Sequence, residues 1–168
     1  MAAASLAVVL ATTGCGGGAL ESSLAPVPSS SRLYYDDSGG IQDSIRLVVL
    51  SRDDWQDLWT RATSARSEPP RRPVVDFEES MVLAVANGRM NPGDEIRVDS
   101  VGVREVRTPG GDTREELAVV VRSIRACSGF QAASFPLEIV QVRRFDLPVN
   151  FIERRERGAG CGTDGAGE

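Results

Sequence analysis

The segment "DFEES" places three carboxylates, Asp76, Glu78 and Glu79, within four positions. Glycosidic or other carboxylate hydrolysis needs two such groups facing each other across a bond, one of them with a raised pKa. Neighbours on one extended segment do not supply that arrangement. Asp76, between Pro73 and Phe77, reads instead as the residue that fixes a turn into the next strand. A second acidic group, Asp36 and Asp37 in "YYDDSGG" with Asp43 beyond, lacks the alternating ligands and closing carboxylate of a calcium loop. Its expected role is a solvated turn.

The chain has 168 residues, no histidine and no lysine, so all 19 basic side chains are arginine. Ser-His-Asp and Cys-His sites, His-ligated zinc, phosphate loops with their lysine and Schiff bases are therefore excluded. Arginine holds an anion but does not move protons near neutral pH. No cofactor and no metal is implied. A net charge of −5 gives no footprint for nucleic acid.

Cys15 closes the stretch "ATTGC", behind the apolar run Ala2 to Ala11, which has the length of a signal-peptide core and is far short of the ~20 residues that span a bilayer. Residues 1–14 are therefore expected to be a lipoprotein-type signal peptide, with Cys15 as the acylation site. Removal of Cys15 with an ordinary leader is the alternative. Residues 15–32, rich in Gly, Ser and Pro, read as a flexible tether to the membrane. Localisation follows as the cell envelope.

With Cys15 acylated, Cys127 and Cys161 form an even pair in an oxidising compartment. A bridge across their 34-residue separation stabilises by roughly 3–4 kcal/mol on loop entropy and pins the Gly-rich tail, 158–168. Free thiols are the alternative reading.

One helix is clear. In "SRDDWQDLWTRATSA", Ser51 is placed to cap, Asp53 and Asp54 fall in the first turn, and Trp55, Leu58, Trp59 and Ala62 recur on one face. Both tryptophans are expected in the core. The prolines of "SEPPRRP" stop the helix. The segments "SIRLVVLS", "SMVLAVANG", "EIRVDSVGVREV", "LAVVVRSIR", "LEIVQVRRF" and "VNFIER" read as strands, with a hairpin at "TPGGDTREE" and an irregularity at Gly102. The unbroken "SMVLAVANG" is the pattern of a strand covered on both faces. The sequence thus predicts, over 33–157, an α+β domain: a mostly antiparallel sheet of about six strands with one packed amphipathic helix. The polar loop "GRMNPGDE" makes Arg89, Met90, Asn91, Asp94 and Glu95 the candidate partner-binding residues, with an ordinary connection as the alternative. The pairs Arg71–Arg72 and Arg143–Arg144 read as a charged rim.

Four stretches together resemble the C-terminal domain of the PrcB-type protease-complex stability subunits. These are "DDWQDLW", "PVVDFEESMVLAVANGR", "CSGFQAASFP" with its Cys127, Gln131 and Pro136 spacing, and "LEIVQVRRFDLPVNFIE", over roughly Ser44 to Glu153. The chain departs from the family at "NPGDEI" and "RSIRA", both solvent-side candidates for partner contact. The resemblance implies a non-enzymatic lipoprotein domain that binds an exported protein partner, a protease being the candidate, and keeps its complex intact. A small lipoprotein inhibitor of a hydrolase and, further off, a carboxylate-based hydrolase are the competing expectations.

Overall fold

The computed structural model describes residues 24–127 and 132–158. These form an α+β domain of two four-stranded sheets and one α-helix, with more strands than the six expected. In chain order the elements are β1 (Ala25–Pro26), a 3₁₀ turn (Ser29–Ser31), β2 (Arg32–Asp36), β3 (Ser44–Val49), α1 (Arg52–Ala62), β4 (Ser80–Asn87), β5 (Glu95–Arg107), β6 (Thr113–Arg125), β7 (Leu137–Arg143) and β8 (Val149–Arg157). One sheet runs β2-β7-β4-β3 and is antiparallel throughout; the other runs β1-β5-β6-β8, with β8 parallel to β6.

Alternation along β4 sets the layering. Val82, Ala84 and Ala86 face the helix, while Met81, Leu83 and Val85 face the second sheet, and all six are fully buried. The apolar run of β4 therefore serves two cores at once. On the helix side, the small Ala84 and Ala86 leave room for Trp55 and Trp59, whose rings meet edge to face at 5.2 Å. On the sheet side, Ile96, Val98 and Val101 of β5 and Leu117, Val119 and Val121 of β6 complete the second core.

The helix begins as its sequence requires. Ser51 Oγ accepts from the Asp54 amide at 3.2 Å and donates to the Asp54 carboxylate at 2.6 Å. Both indole N–H groups donate to carbonyls of the proline-rich segment, Trp55 to Pro73 at 3.0 Å and Trp59 to Pro70 at 3.2 Å. The tryptophans thus fill the core and strap this segment across the helix. Gly40 passes close behind the end of α1, where a Cβ would collide with the Ala62 carbonyl.

Three expectations are corrected. The stretch 15–32 is not flexible through to its end: β1 pairs with β5, the Val27 amide donates to Asp99 O at 2.9 Å, and β2 starts at Arg32. Proline and serine content hid these short edge pairings. The bulge in β5 falls between Val98 and Ser100, not at Gly102, so that Val98 and Val101 both turn inward. Finally, Asp36 is not in a solvated turn. It is buried, accepting from Tyr34 OH at 2.9 Å, from Ser38 Oγ at 2.5 Å and from Arg66 at 2.8 Å.

Burial alone pushes the Asp36 carboxyl up, but the hydrogen bonds from Arg66, Ser38 and Tyr34 outweigh it and hold the group below its usual value. A depressed carboxyl contributes stability that is complete above about pH 4, its unfolded value, and lost as pH falls through the folded value. Asp36→Asn is expected to lower stability at pH 7 by about 2 kcal/mol. It is also expected to flatten the loss of stability between pH 5 and 3 relative to the parent chain, as measured by urea unfolding across that range.

An arginine-lined cleft as candidate functional site

At one end of the sandwich β4 finishes and β3 begins on one sheet, while β6 and β8 approach their ends on the other. A cleft of about 460 Å³ lies there, lined by Ser44 and Arg46 of β3, Asn87 of β4, Arg89 and Met90 of the following loop, Ser123 and Arg125 of β6, and Glu153 and Arg155 of β8. A smaller hollow of about 350 Å³ continues from it and shares Arg89, Met90 and Arg125.

Arg46 holds the two sheets at this end. Its Nε and Nη2 meet the two carboxylate oxygens of Glu153 at 2.7 and 2.9 Å. Nη1 donates to the Ile45 and Ala86 carbonyls, both at 2.6 Å, and Nη2 donates to Asn87 Oδ1 at 2.6 Å. A bidentate guanidinium–carboxylate pair is planar and directional, so it fixes the spacing of β3 and β8 as well as their attraction. Asn87 Nδ2 then donates to Ser123 Oγ at 2.7 Å, which links β4 to β6.

The five loop residues singled out in the sequence separate into four groups. Arg89 and Asn91 are exposed at the rim of the cavities. Met90 is half-buried and held by a two-residue bridge to Ser134, with N–H···O distances of 2.8 and 3.0 Å. Asp94 is buried: Oδ1 accepts from the Ala126 amide at 2.8 Å and Oδ2 from the Asn91 amide at 3.2 Å. Both of its oxygens thus tie the loop together and to the end of β6. Glu95 pairs with Arg97 on its own strand.

Sequence reasoning found the loop and missed the cleft behind it. Arg46, Ser123, Glu153 and Arg155 come from three strands that are distant in the chain, and nothing in their spacing brings them together. Cys127, two residues past Arg125, is disulfide-bonded. Cys15 and Cys161 lie outside the described residues, as does Gln131 of the resemblance. Asp76, Glu78 and Glu79 sit on one exposed turn, where Asp76 Oδ1 accepts from the Glu78 amide at 2.9 Å and Asp76 O from the Ser80 amide at 2.8 Å. This is the turn-fixing role expected of Asp76. The rim arginine Arg144 donates to Phe77 O at 2.7 Å.

Comparison of the chain with protein-family models, curated proteins and solved structures finds no match. Among the described residues no helix is long and apolar enough to cross a membrane, and no group of three or more His, Cys, Asp and Glu is placed to hold a metal ion.

The two roles assigned to the loop separate in a stability measurement. Asp94→Ala leaves the Asn91 and Ala126 amides without their charged acceptor and is expected to destabilise by about 2 kcal/mol. Arg89→Ala removes an exposed side chain and is expected to change stability by less than ~0.5 kcal/mol. Denaturant unfolding of the two variants checks both values.

Proposed function

We propose that this chain is a binding domain of the cell envelope, anchored by lipid on Cys15, that holds an exported protein partner and stabilises it. A protease complex is the candidate partner, on the resemblance to the PrcB-type subunits. The observation that carries the reading is the cleft. In a chain of net charge −5, four arginines and one glutamate line a single concavity, bordered by a loop with an exposed arginine and an exposed asparagine. A rigid concave surface with surplus positive charge suits steering and seating of an oppositely charged segment. Binding that favours the folded partner raises its stability by mass action and requires no chemistry.

The anchor and the bridge belong to the same reading. Gly158 donates its amide to Arg125 O at 2.8 Å, and its carbonyl oxygen lies 3.9 Å from Cys127 Sγ. Three further residues reach up to about 10 Å, so Cys161 is within range of Cys127. That pairing leaves Cys15 for lipid.

Crosslinking in intact cells of the source, followed by capture of the tagged chain, is expected to recover one exported protein, whose lifetime lengthens when the purified domain is added. Loss of the partner's catalytic rate on addition would identify an inhibitor instead, and recovery of no protein would contradict both. Peptide mapping without reduction is expected to yield a Cys127–Cys161 crosslink and an acylated Cys15. A Cys15–Cys127 crosslink would contradict the bridge and the anchor together.

A further inference from the structure

The hydrogen-bond directions around Asn87 have a consequence for what the cleft can accept. A guanidinium carries donors only. Arg46 Nη2 therefore requires the oxygen of the Asn87 amide, which turns the Asn87 nitrogen toward Ser123. That nitrogen also only donates, so Ser123 Oγ must accept from it. The Ser123 hydroxyl hydrogen then has no acceptor among the described residues, although the residue is 94 % buried and lines the cleft. Its donor is left for an occupant.

The other polar groups at the cleft point the same way. Arg46 uses Nε, Nη1 and Nη2 within the protein and serves as scaffold. Glu153 is matched by Arg46, each carboxylate oxygen to its own nitrogen. The carboxylate of Asp94, in the adjoining hollow, faces the Ala126 and Asn91 amides. Ser44 Oγ lies 3.4 Å from Ala86 O, to which it donates. On the walls, Arg89 and Arg155 are exposed and have no ion pair among the described residues, and Arg125 shares the lining. The acidic groups are thus turned toward protein donors, while the Ser123 hydroxyl and two guanidinium groups are available to an occupant.

From this we infer that the cleft is a carboxylate site, taking acidic side chains from an extended segment of the protein partner, with Ser123 and Arg155 as its principal donors and Arg89 at its mouth. The inference rests on the binding-domain reading above and adds the chemical class of the ligand. A carboxylate presents acceptors only and so matches the Ser123 hydroxyl and the guanidinium groups of Arg89 and Arg155. Two guanidinium groups in one lining suit more than one acidic side chain.

The test uses the full chain and a fluorescent peptide of consecutive glutamates with an amidated C-terminus, followed by anisotropy at low ionic strength. Binding is expected, weakening as salt rises, while the glutamine counterpart, also amidated at its C-terminus, does not bind. Ser123→Ala is expected to weaken binding about tenfold, the loss of one hydrogen bond to a charged group. The pair Arg89→Gln and Arg155→Gln is expected to weaken it at least about tenfold. These two side chains are exposed, so the double variant keeps the test decisive should Ser123→Ala fail to fold. Equal binding of the glutamine peptide, unchanged binding by both variants, or binding of inorganic phosphate or single-stranded oligonucleotide in preference to the glutamate peptide would overturn the inference. Retention of the partner in cells by a chain that does not bind the glutamate peptide would overturn the carboxylate site alone and leave the binding-domain reading standing.

Discussion

Burial of β4 on both faces is the constraint from which the rest of the structure follows. Six consecutive apolar residues, Met81 to Ala86, cannot be covered by one layer, because successive side chains point in opposite directions. A helix must close one side and a second sheet the other. Ala84 and Ala86 are small where Trp55 and Trp59 press in, and Met81, Leu83 and Val85 are large where the β5–β6 hairpin lies opposite. Shaving the alanine side or enlarging it would break the fit in opposite ways.

Two packed sheets must have edges, and the edges are where this protein places its charge. β8 carries "ERRER" on an exposed edge, a composition that discourages pairing with another chain. At the opposite side of the sandwich the bulge in β5 frees the Val98 amide, which donates to Glu138 Oε2 at 2.6 Å. The other oxygen of this buried carboxylate pairs with Arg32. Glu138 and Arg46 therefore each join one sheet to the other, Glu138 by accepting from the Val98 amide across the sandwich and Arg46 by its ion pair with Glu153. At the Arg46 end the sheets stay apart far enough to leave the cleft.

How much of this could be read from sequence depends on the range over which each feature is encoded. The helix, its cap, the buried tryptophans and the two-faced strand are local patterns, and each lies where periodicity placed it. The hairpin at "TPGGDTREE" is likewise local: Gly111 takes φ 92° and Thr108 and Asp112 close the turn. β1 and β2 were illegible because a two-residue pairing with a proline carries no periodicity, and because β2 ends on a polar "DD" whose first member is buried by partners 30 residues away. The loop at 88–95 was legible as a polar insertion, but the inward turn of Asp94 was not, since its acceptor role depends on Ala126. The cleft itself is a product of topology: it exists only once β8 lies parallel to β6 and brings Glu153 and Arg155 opposite Arg46.

The measurement that bears most directly on this arrangement is a nuclear magnetic resonance titration of the isotopically labelled chain with a glutamate-rich peptide. The expected result is a set of shifts confined to the Asn87 amide group, the backbone near Ser44 and Ser123, and the side chains of Arg89 and Arg155. Shifts gathered instead around Val74 and Phe77, at the proline-rich strap over α1, would contradict it.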